Sequence, residues 1–282
     1  MSNVHEEVVS SWSQYLELVD GPTFRSWAFR GQADAQWGLW TALSRYLRAT
    51  GVHPKWWPEQ EQRILRIFQR KAHLFLQHVP DPDDVLQWLA LMQHHGAPTR
   101  VLDLTWSPYV AAFFALELAT TDAAVWAFNV VNISVREEHH IRNGQAVRPH
   151  DIGLRRDVKA APSNYAKYFL PNQLPFVYIG EPYIMNQRLI AQSGTFAVPG
   201  KIDEPLEAIL GDYPDPDNTV IKLRLASSKM RREAMRAFYA MNITNATLFP
   251  GLDGLARSTA YELEHHWAFD PYTPEIYRGF EQ

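Results

Sequence analysis

The stretch from Trp88 to Glu117 constrains the fold more than any other part of the chain. Its sequence is WLALMQHHGAPTRVLDLTWSPYVAAFFALE. Gly96 can adopt the left-handed conformation that closes a helix, and Val101–Thr105 has the short apolar pattern of a buried strand. Ser107 is a good N-cap residue, and Pro108 is favoured in the first turn of a helix. The stretch therefore predicts a helix, a turn, a buried strand, a second turn and a second helix.

Polar side chains interrupt this apolar stretch at His94, His95, Thr99, Arg100, Asp103, Thr105 and Ser107. Burial without a hydrogen-bond partner would cost roughly 1–3 kcal/mol for each of them. One interpretation is a self-satisfied network in which Arg100 pairs with Asp103 and the hydroxyls cap the turns. The other interpretation is a ligand-binding site. The sequence leaves both open.

Four sequence blocks, taken in order, closely resemble the FRG domain family, which is named after a Phe-Arg-Gly motif. The blocks are Phe29–Gly31, His94–Ala115, Arg188–Phe196 and Leu248–Leu255. The family usually has tryptophan where this chain has Leu104, a conservative departure that leaves the neighbouring polar residues in place. The resemblance covers most of the chain, from about Trp27 to Ala256.

Composition narrows the class of protein. Apolar residues make up 46% and charged residues 21% of the 282-residue chain, as in ordinary globular proteins. The formal net charge of −4 gives no general electrostatic footprint for nucleic acid. Because there is no cysteine, thiolate catalysis and zinc sites built on sulfur are excluded. The N-terminus does not resemble a signal peptide and no long apolar run occurs, so we expect a cytoplasmic protein without a membrane span.

The order of predicted elements indicates a single α+β domain, in which helices flank a mixed or mainly antiparallel sheet. We divide the chain into an N-terminal helix at 1–26, an FRG domain at 27–256, and a C-terminal helix and tail at 257–282. The domain carries an irregular basic insertion at about 132–175, punctuated by glycine and proline.

Four local predictions follow from hydrophobic spacing and turn residues. Residues 4–19 are expected to form one amphipathic helix, and Glu59–His78 a long helix. Residues 199–218, rich in proline and acids, are expected to be loop. Ser26–Phe29 is expected to form a short strand that places Arg30 at its end.

The sequence therefore predicts specific roles for Arg30 and Gly31. The planar guanidinium of Arg30 suits a phosphate, although a structural pair with a core carboxylate such as Asp103 is the alternative. Gly31 would allow a close approach to the backbone at this point.

The order of these residues is also remotely similar to that of ADP-ribosyltransferases. In those enzymes an arginine or a histidine holds the dinucleotide, a Ser/Thr strand frames the nicotinamide pocket, and a later glutamate contacts the nicotinamide ribose. The resemblance implies an ADP-ribosyltransferase-like fold and NAD as a substrate. It assigns Arg30 to the pyrophosphate or ribose, Thr105 or Ser107 to the middle strand, and Gln192 to the third position. We thus expect catalytic roles for Arg30, Thr105 and Gln192, and nucleotide contacts from Arg30, His95, Arg100, Asp103 and Ser107.

Two geometric and chemical expectations follow. Arg30, His95, Thr105 and Gln192 should meet at one concavity if the family blocks mark a site. Glutamine keeps the hydrogen bond of the third-position glutamate but loses its charge, a loss of roughly a hundredfold in rate. Gln192 therefore predicts slow turnover without an acceptor, and Gln192→Glu is expected to raise basal nicotinamide release.

Other functions remain open at this point. The protein is alternatively a non-catalytic recognition module for a nucleotide, a nucleic acid or a protein ligand, or a metal-independent nuclease using His94 or His95 with Arg100. A transferase would modify a nucleic-acid or protein acceptor, and the biological setting would be that of a toxin or phage-defence effector. No metal is expected, because adjacent histidines on a helix point about 100° apart and a third ligand is missing.

Overall fold

The computed structural model describes residues 4–135, 161, 163–213 and 215–265, together with the backbone of four residues in two short strands between 141 and 146. Residues 136–140, 143–144, 147–160 and 162 of the predicted basic insertion, the final part of the predicted C-terminal tail and the first three residues lie outside the described residues.

A seven-stranded mixed sheet forms the centre of the molecule. The strands of the described chain are β1 (His5–Val9), β2 (Trp27–Gln32), β3 (Leu102–Thr105), β4 (Ala123–Asn129), β5 (Ile141–Arg142), β6 (Gln145–Ala146), β7 (Val177–Gly180), β8 (Gly194–Pro199) and β9 (Val220–Leu225). The order in the sheet is β1-β9-β4-β2-β3-β8-β7, and β5 pairs with β6 separately. β1 and β9 run parallel, whereas the other neighbours in the large sheet run antiparallel.

Helices cover the sheet, and together they confirm the predicted α+β class. Those of the described chain are α1 (Trp12–Val19), α2 (Ala42–Ala49), α3 (Trp57–Ala72), α4 (Val85–His94), α5 (Pro108–Leu116), α6 (Val130–Val135), α7 (Asn164–Phe169), α8 (Gln187–Ala191), α9 (Leu206–Gly211), α10 (Ser227–Ala240), α11 (Asn245–Leu248) and α12 (Leu252–His265). Polar side chains accept hydrogen bonds from the first turns of several helices, as expected of N-caps; these caps are Ser11, Thr41, Asp84, Ser107 and Asn186.

The central strand β4 shows that the sheet is buried on both faces. Val125 joins a core with Phe113 of α5 and Phe238 of α10. The next residue, Trp126, joins a second core on the opposite face with Leu206 of α9. Alternate residues of one strand thus enter two cores, which explains why β4 reads as a continuous apolar run.

A third core lies at the other end of the sheet, where α3, α4 and α7 pack together. It contains Leu65, Trp88 and Phe169 along with Phe196 of β8. This core fixes α4 beside β3 and β8, so that the C-terminal end of α4 lies near the middle of the sheet.

The sheet opens between β2 and β3. β2 pairs with β4 along its whole length and β3 with β8 along its whole length. In contrast, β2 and β3 share a single bridge, between Phe29 and Thr105. The two strands therefore diverge on one side of this bridge and leave a gap within the sheet.

Gly31 allows α5 to pack directly against the backbone of β2. A Cβ atom at this position would lie 2.6 Å from the amide nitrogen of Ala115 and closer still to the carbonyl oxygen of Ala111. Both neighbours are helix backbone, so a side chain cannot be accommodated by a rotamer change. The expected close backbone approach at Gly31 is confirmed.

Several sequence predictions about elements are wrong. Residues 4–19 are not one helix, because His5–Val9 forms β1 and pairs with β9. Arg30 lies within β2 and not at its end. The helix predicted to reach His78 ends at Ala72, and Phe75, the next apolar residue at the predicted helical spacing, is 85% exposed.

Two further differences concern the second half of the chain. The predicted loop at 199–218 contains α9, whose residues Leu206, Ile209 and Leu210 are buried at helical spacing between flanking prolines. The boundary drawn at 257 falls inside α12, which begins at Leu252.

Candidate functional site

Arg30 reaches across the gap between β2 and β3. Its Nη1 atom donates a hydrogen bond to the backbone carbonyl of Asp103, with a distance of 2.6 Å. Its Nε atom is buried and has no hydrogen-bond partner. Burial lowers the pKa of the Arg30 guanidinium, and the nearby carboxylate of Asp103 partly offsets this effect. Among the described residues Arg30 forms no salt bridge, so its charge is only partly compensated.

Asp103 forms the opposite side of the gap. Its Oδ2 atom accepts a hydrogen bond of 2.9 Å from Nε2 of Gln93, and Oε1 of Gln93 accepts one of 2.7 Å from the hydroxyl of Thr99. The chain Thr99–Gln93–Asp103 links β3 to the last turn of α4. The half-buried Asp103 carboxylate is thereby held in a fixed orientation.

Thr105 and Gln192 tie β3 to the turn that follows α8. The Thr105 hydroxyl donates to the backbone carbonyl of Gln192 at 2.7 Å and accepts from the amide of Ser107 at 3.0 Å. The side-chain amide of Gln192 donates to the carbonyl of Leu248 at 3.0 Å. These bonds show that the functional groups of Thr105 and Gln192 maintain the local structure.

A cavity of about 210 Å³ occupies the gap. Its walls include Arg30, Asp103, Thr105, Phe114, Arg188 and Gln192. Phe249 also lines it, and the guanidinium carbon of Arg188 lies 4.8 Å from the centre of the Phe249 ring. We call this the β2–β3 cavity; its lining combines two arginines, one carboxylate and three phenylalanines, the third being Phe29.

A smaller cavity of about 20 Å³ adjoins the β2–β3 cavity. Asp103, Arg188 and Gln192 line both cavities, while His94 and Asn186 line the smaller one alone. Burial lowers the pKa of the His94 imidazole, and the positive charges of neighbouring residues lower it further. We call this space the His94 cavity.

Arg100 lies outside both cavities, and the predicted Arg100–Asp103 pair is wrong. The guanidinium is fully buried in an ion pair with Glu61 of α3, including a hydrogen bond of 2.6 Å from Nε. It also donates to the carbonyl of Pro199 at 3.1 Å. Burial lowers the pKa of Arg100, but the facing carboxylate outweighs burial and the pKa is raised overall. Arg100 therefore joins α3 to the sheet and has no exposed surface for a nucleotide.

His95 and Ser107 also lie apart from the β2–β3 cavity. His95 lines a separate apolar groove of about 580 Å³ between α3 and the end of α4. The Ser107 hydroxyl accepts a hydrogen bond from the amide of Val110 at 3.3 Å and caps α5. Of the four residues expected to meet, the structure brings Arg30, Thr105 and Gln192 together but not His95.

The sequence pattern around Glu61 could have predicted that this residue forms a buried ion pair. Glu61 follows Trp57 and precedes Leu65 at intervals of four residues, and all three are buried on one face of α3. A carboxylate in such an apolar row requires a partner. Phe114 and Phe249 carry no sequence signal for a cavity, because aromatic residues at these spacings are also typical of a core.

Two further features of the described residues concern metal ions and membranes. No cluster of three or more histidine, aspartate or glutamate side chains in this part of the chain could hold a metal ion. No helix among the described residues has the length and apolar character needed to cross a membrane.

Comparison with known proteins identifies one family. The fold is α+β, and the site lies between two strands of its mixed sheet. The family model of the FRG domain matches residues 25–124, and this part of the chain is an FRG domain. The match includes Arg30, Asp103 and Thr105, while the resembling blocks at 188–196 and 248–255 lie beyond it. No curated protein and no solved structure matches the chain significantly.

Proposed function

We propose that the β2–β3 cavity binds a nucleotide of the NAD type, and that the protein acts as an ADP-ribosyltransferase or NAD glycohydrolase. The observation that carries this proposal is the incompletely paired guanidinium of Arg30. A half-buried guanidinium whose Nε atom is buried without a hydrogen-bond partner among the described residues gains most from an anionic ligand.

The charges around the cavity support a phosphate ligand. Arg188 lines the same cavity as Arg30 and, like it, forms no salt bridge among the described residues. Two guanidinium groups present planar donor pairs that match the oxygens of a phosphate or pyrophosphate. Asp103 is the opposing charge in the cavity wall, and its carboxylate can accept a hydrogen bond from a ribose hydroxyl.

The aromatic walls and the size of the cavity support a planar ring beside the anion. Phe114 and Phe249 supply an aromatic wall against which a base or nicotinamide ring could pack. The volume of about 210 Å³ is smaller than the roughly 300–1,000 Å³ typical of pockets for drug-sized ligands. The cavity would therefore hold one half of a dinucleotide, and the other half would extend outside it.

One observation favours the second candidate, a non-catalytic recognition module. The Thr105 hydroxyl and the Gln192 amide, both expected to act in catalysis, are already engaged with backbone groups. A module that binds a nucleotide without cleaving it would need only Arg30, Arg188 and the aromatic walls. The role as a toxin or phage-defence effector stays a prediction, since the geometry of the site does not bear on it.

Titration calorimetry with NAD and ADP-ribose tests the proposal. Loss of charge-assisted hydrogen bonds worth about 1.5–3 kcal/mol should weaken binding to Arg30→Ala by about 10- to 150-fold. Arg30→Lys should recover part of the affinity, because it keeps the charge without the planar fork. Arg66→Ala, an exposed arginine of α3, is the matched control and should bind like the wild type.

A parallel assay for free nicotinamide separates the two candidates. Binding with nicotinamide release supports the enzyme, whereas binding without release, with or without lysate as a source of acceptor, supports the recognition module. Equal affinity of wild type and Arg30→Ala would overturn the assignment of the site.

A further inference from the structure

We propose that Asp103 is the catalytic carboxylate of the β2–β3 cavity, that Gln192 has no catalytic role, and that water entering through the His94 cavity is the nucleophile. This inference rests on the proposed NAD reaction. It specifies the second substrate of that reaction and replaces the residue expected at the third position.

Among the described residues that line the β2–β3 cavity, Asp103 supplies the carboxylate. It also lines the His94 cavity and thus stands between the two spaces. The bond from Gln93 fixes its Oδ2 atom, and the bond from Arg30 fixes its backbone. A half-buried carboxylate held at two points needs little reorganisation when positive charge develops beside it.

Gln192 is unsuited to the same task. Its side-chain amide donates to the Leu248 carbonyl, and its backbone carbonyl accepts from Thr105. The residue is only 8% exposed. Its position in the cavity wall therefore depends on the turn after α8, and its polar groups join that turn to β3 and to α11.

The proposed reaction is hydrolysis of the bond between nicotinamide and ribose. The bond from C1′ of the ribose to the ring nitrogen breaks, and its electron pair leaves with nicotinamide, which becomes neutral. The Asp103 carboxylate stabilises the positive charge that develops on C1′ and the ribose ring oxygen. The oxygen of water then bonds to C1′, its proton passes to Asp103 and later to solvent, and ADP-ribose is the product.

The size of the His94 cavity indicates water as the nucleophile. Its volume of about 20 Å³ exceeds the roughly 10–15 Å³ that one water needs. An arginine side chain or a nucleobase from a macromolecular acceptor would not fit. Gln93, His94 and Asn186 supply polar groups around this space, as a bound water requires.

The test uses the full-length protein with NAD as the only organic substrate. Asp103→Asn keeps the shape of the side chain and an acceptor for Gln93, and Asp217→Asn changes an exposed aspartate as a matched control. NAD affinity, nicotinamide release, incorporation of ¹⁸O from labelled water into ADP-ribose, and the thermal midpoint are measured for each protein.

We expect the wild type and Asp217→Asn to release nicotinamide at the same rate, with ¹⁸O in the product. Asp103→Asn should bind NAD and unfold at a similar temperature but release nicotinamide about a hundredfold more slowly. Unchanged release by Asp103→Asn would overturn its catalytic role. Binding by the wild type with release only in the presence of an acceptor would overturn water as the nucleophile. Absence of NAD binding by the wild type would instead refute the proposed function, and the inference with it.

Discussion

The substitution Gly31→Ala tests how the Phe-Arg-Gly motif builds the site. In the wild type, α5 lies against the backbone of β2 because Gly31 has no side chain. The added Cβ would be 2.6 Å from the Ala115 nitrogen and even nearer to the Ala111 oxygen. Real Cβ atoms essentially never approach another heavy atom within 3.0 Å, so the helix or the strand must move.

The decrease in the free energy of unfolding that this movement causes can be estimated. Overpacking of a core typically destabilises by about 1–3 kcal/mol, and two rigid backbone neighbours place Gly31→Ala in the upper part of this range. A loss of about 2–3 kcal/mol corresponds to a fall in thermal midpoint of roughly 4–12 °C for a chain of this size class. Since Gly31 also lines the β2–β3 cavity, the same displacement should weaken nucleotide binding.

Thermal unfolding followed by circular dichroism measures this effect. Gly21→Ala is the matched control, because Gly21 has an ordinary backbone conformation and its added Cβ would be 3.1 Å from the Leu18 carbonyl oxygen. That substitution should change stability by less than about 1 kcal/mol. Equal midpoints for the two variants would refute the close packing of α5 on β2.

Three other predictions concern the buried ion pair between α3 and Arg100 and two residues that line the cavities. Either Glu61→Gln or Arg100→Met should destabilise the fold by about 3–5 kcal/mol in chemical denaturation, and Glu61→Leu combined with Arg100→Met should recover most of this loss without changing NAD affinity. Gln192→Glu should lower stability by about 1–3 kcal/mol and should not raise nicotinamide release, because a carboxylate cannot donate to the Leu248 carbonyl; increased release would restore the third-position role. The pKa of His94 is lower in the folded state than in the unfolded chain, so the unfolded chain binds more protons, and the free energy of unfolding falls as the pH drops below about 6.5. His94→Asn should therefore lose less stability than the wild type between about pH 6.5 and 5. Identical pH profiles for the two proteins would contradict this prediction.

Local signals in the sequence predicted the central part of the fold well. Gly96 has φ of +80° at the end of α4, β3 covers Leu102–Thr105, and α5 begins at Pro108 after its Ser107 cap. Each of these features depends on residues that are neighbours in sequence. Caps, turn glycines and short apolar runs therefore suffice to place them.

Pairing between distant residues could not be predicted in the same way. The Arg100–Glu61 pair joins positions 39 apart, and the Gln192–Leu248 bond joins positions 56 apart. A polar pattern shows that Arg100 needs a partner but does not identify it. Likewise, β1 has mostly exposed side chains, and only its pairing with β9 makes it a strand.

The candidate site was likewise only partly predictable from local sequence patterns. Arg30 and Asp103 were recognisable as polar residues in apolar surroundings, and both line the β2–β3 cavity. Their interaction through the Asp103 backbone carbonyl arises from the divergence of β2 and β3, which no local pattern encodes. We expected His95 to line the same cavity as Arg30. The structure instead places His94 beside that cavity, while the side chain of the next residue, His95, lines the apolar groove.

Crystals soaked with ADP-ribose would test the central claim most directly, because the location of the ligand would be observed. We predict electron density in the β2–β3 cavity, with a phosphate oxygen or ribose hydroxyl within hydrogen-bond distance of Arg30 and a second contact to Arg188. Ligand density in the apolar groove beside His95, or none in the β2–β3 cavity at saturating concentration, would contradict the assignment of this cavity as a nucleotide site.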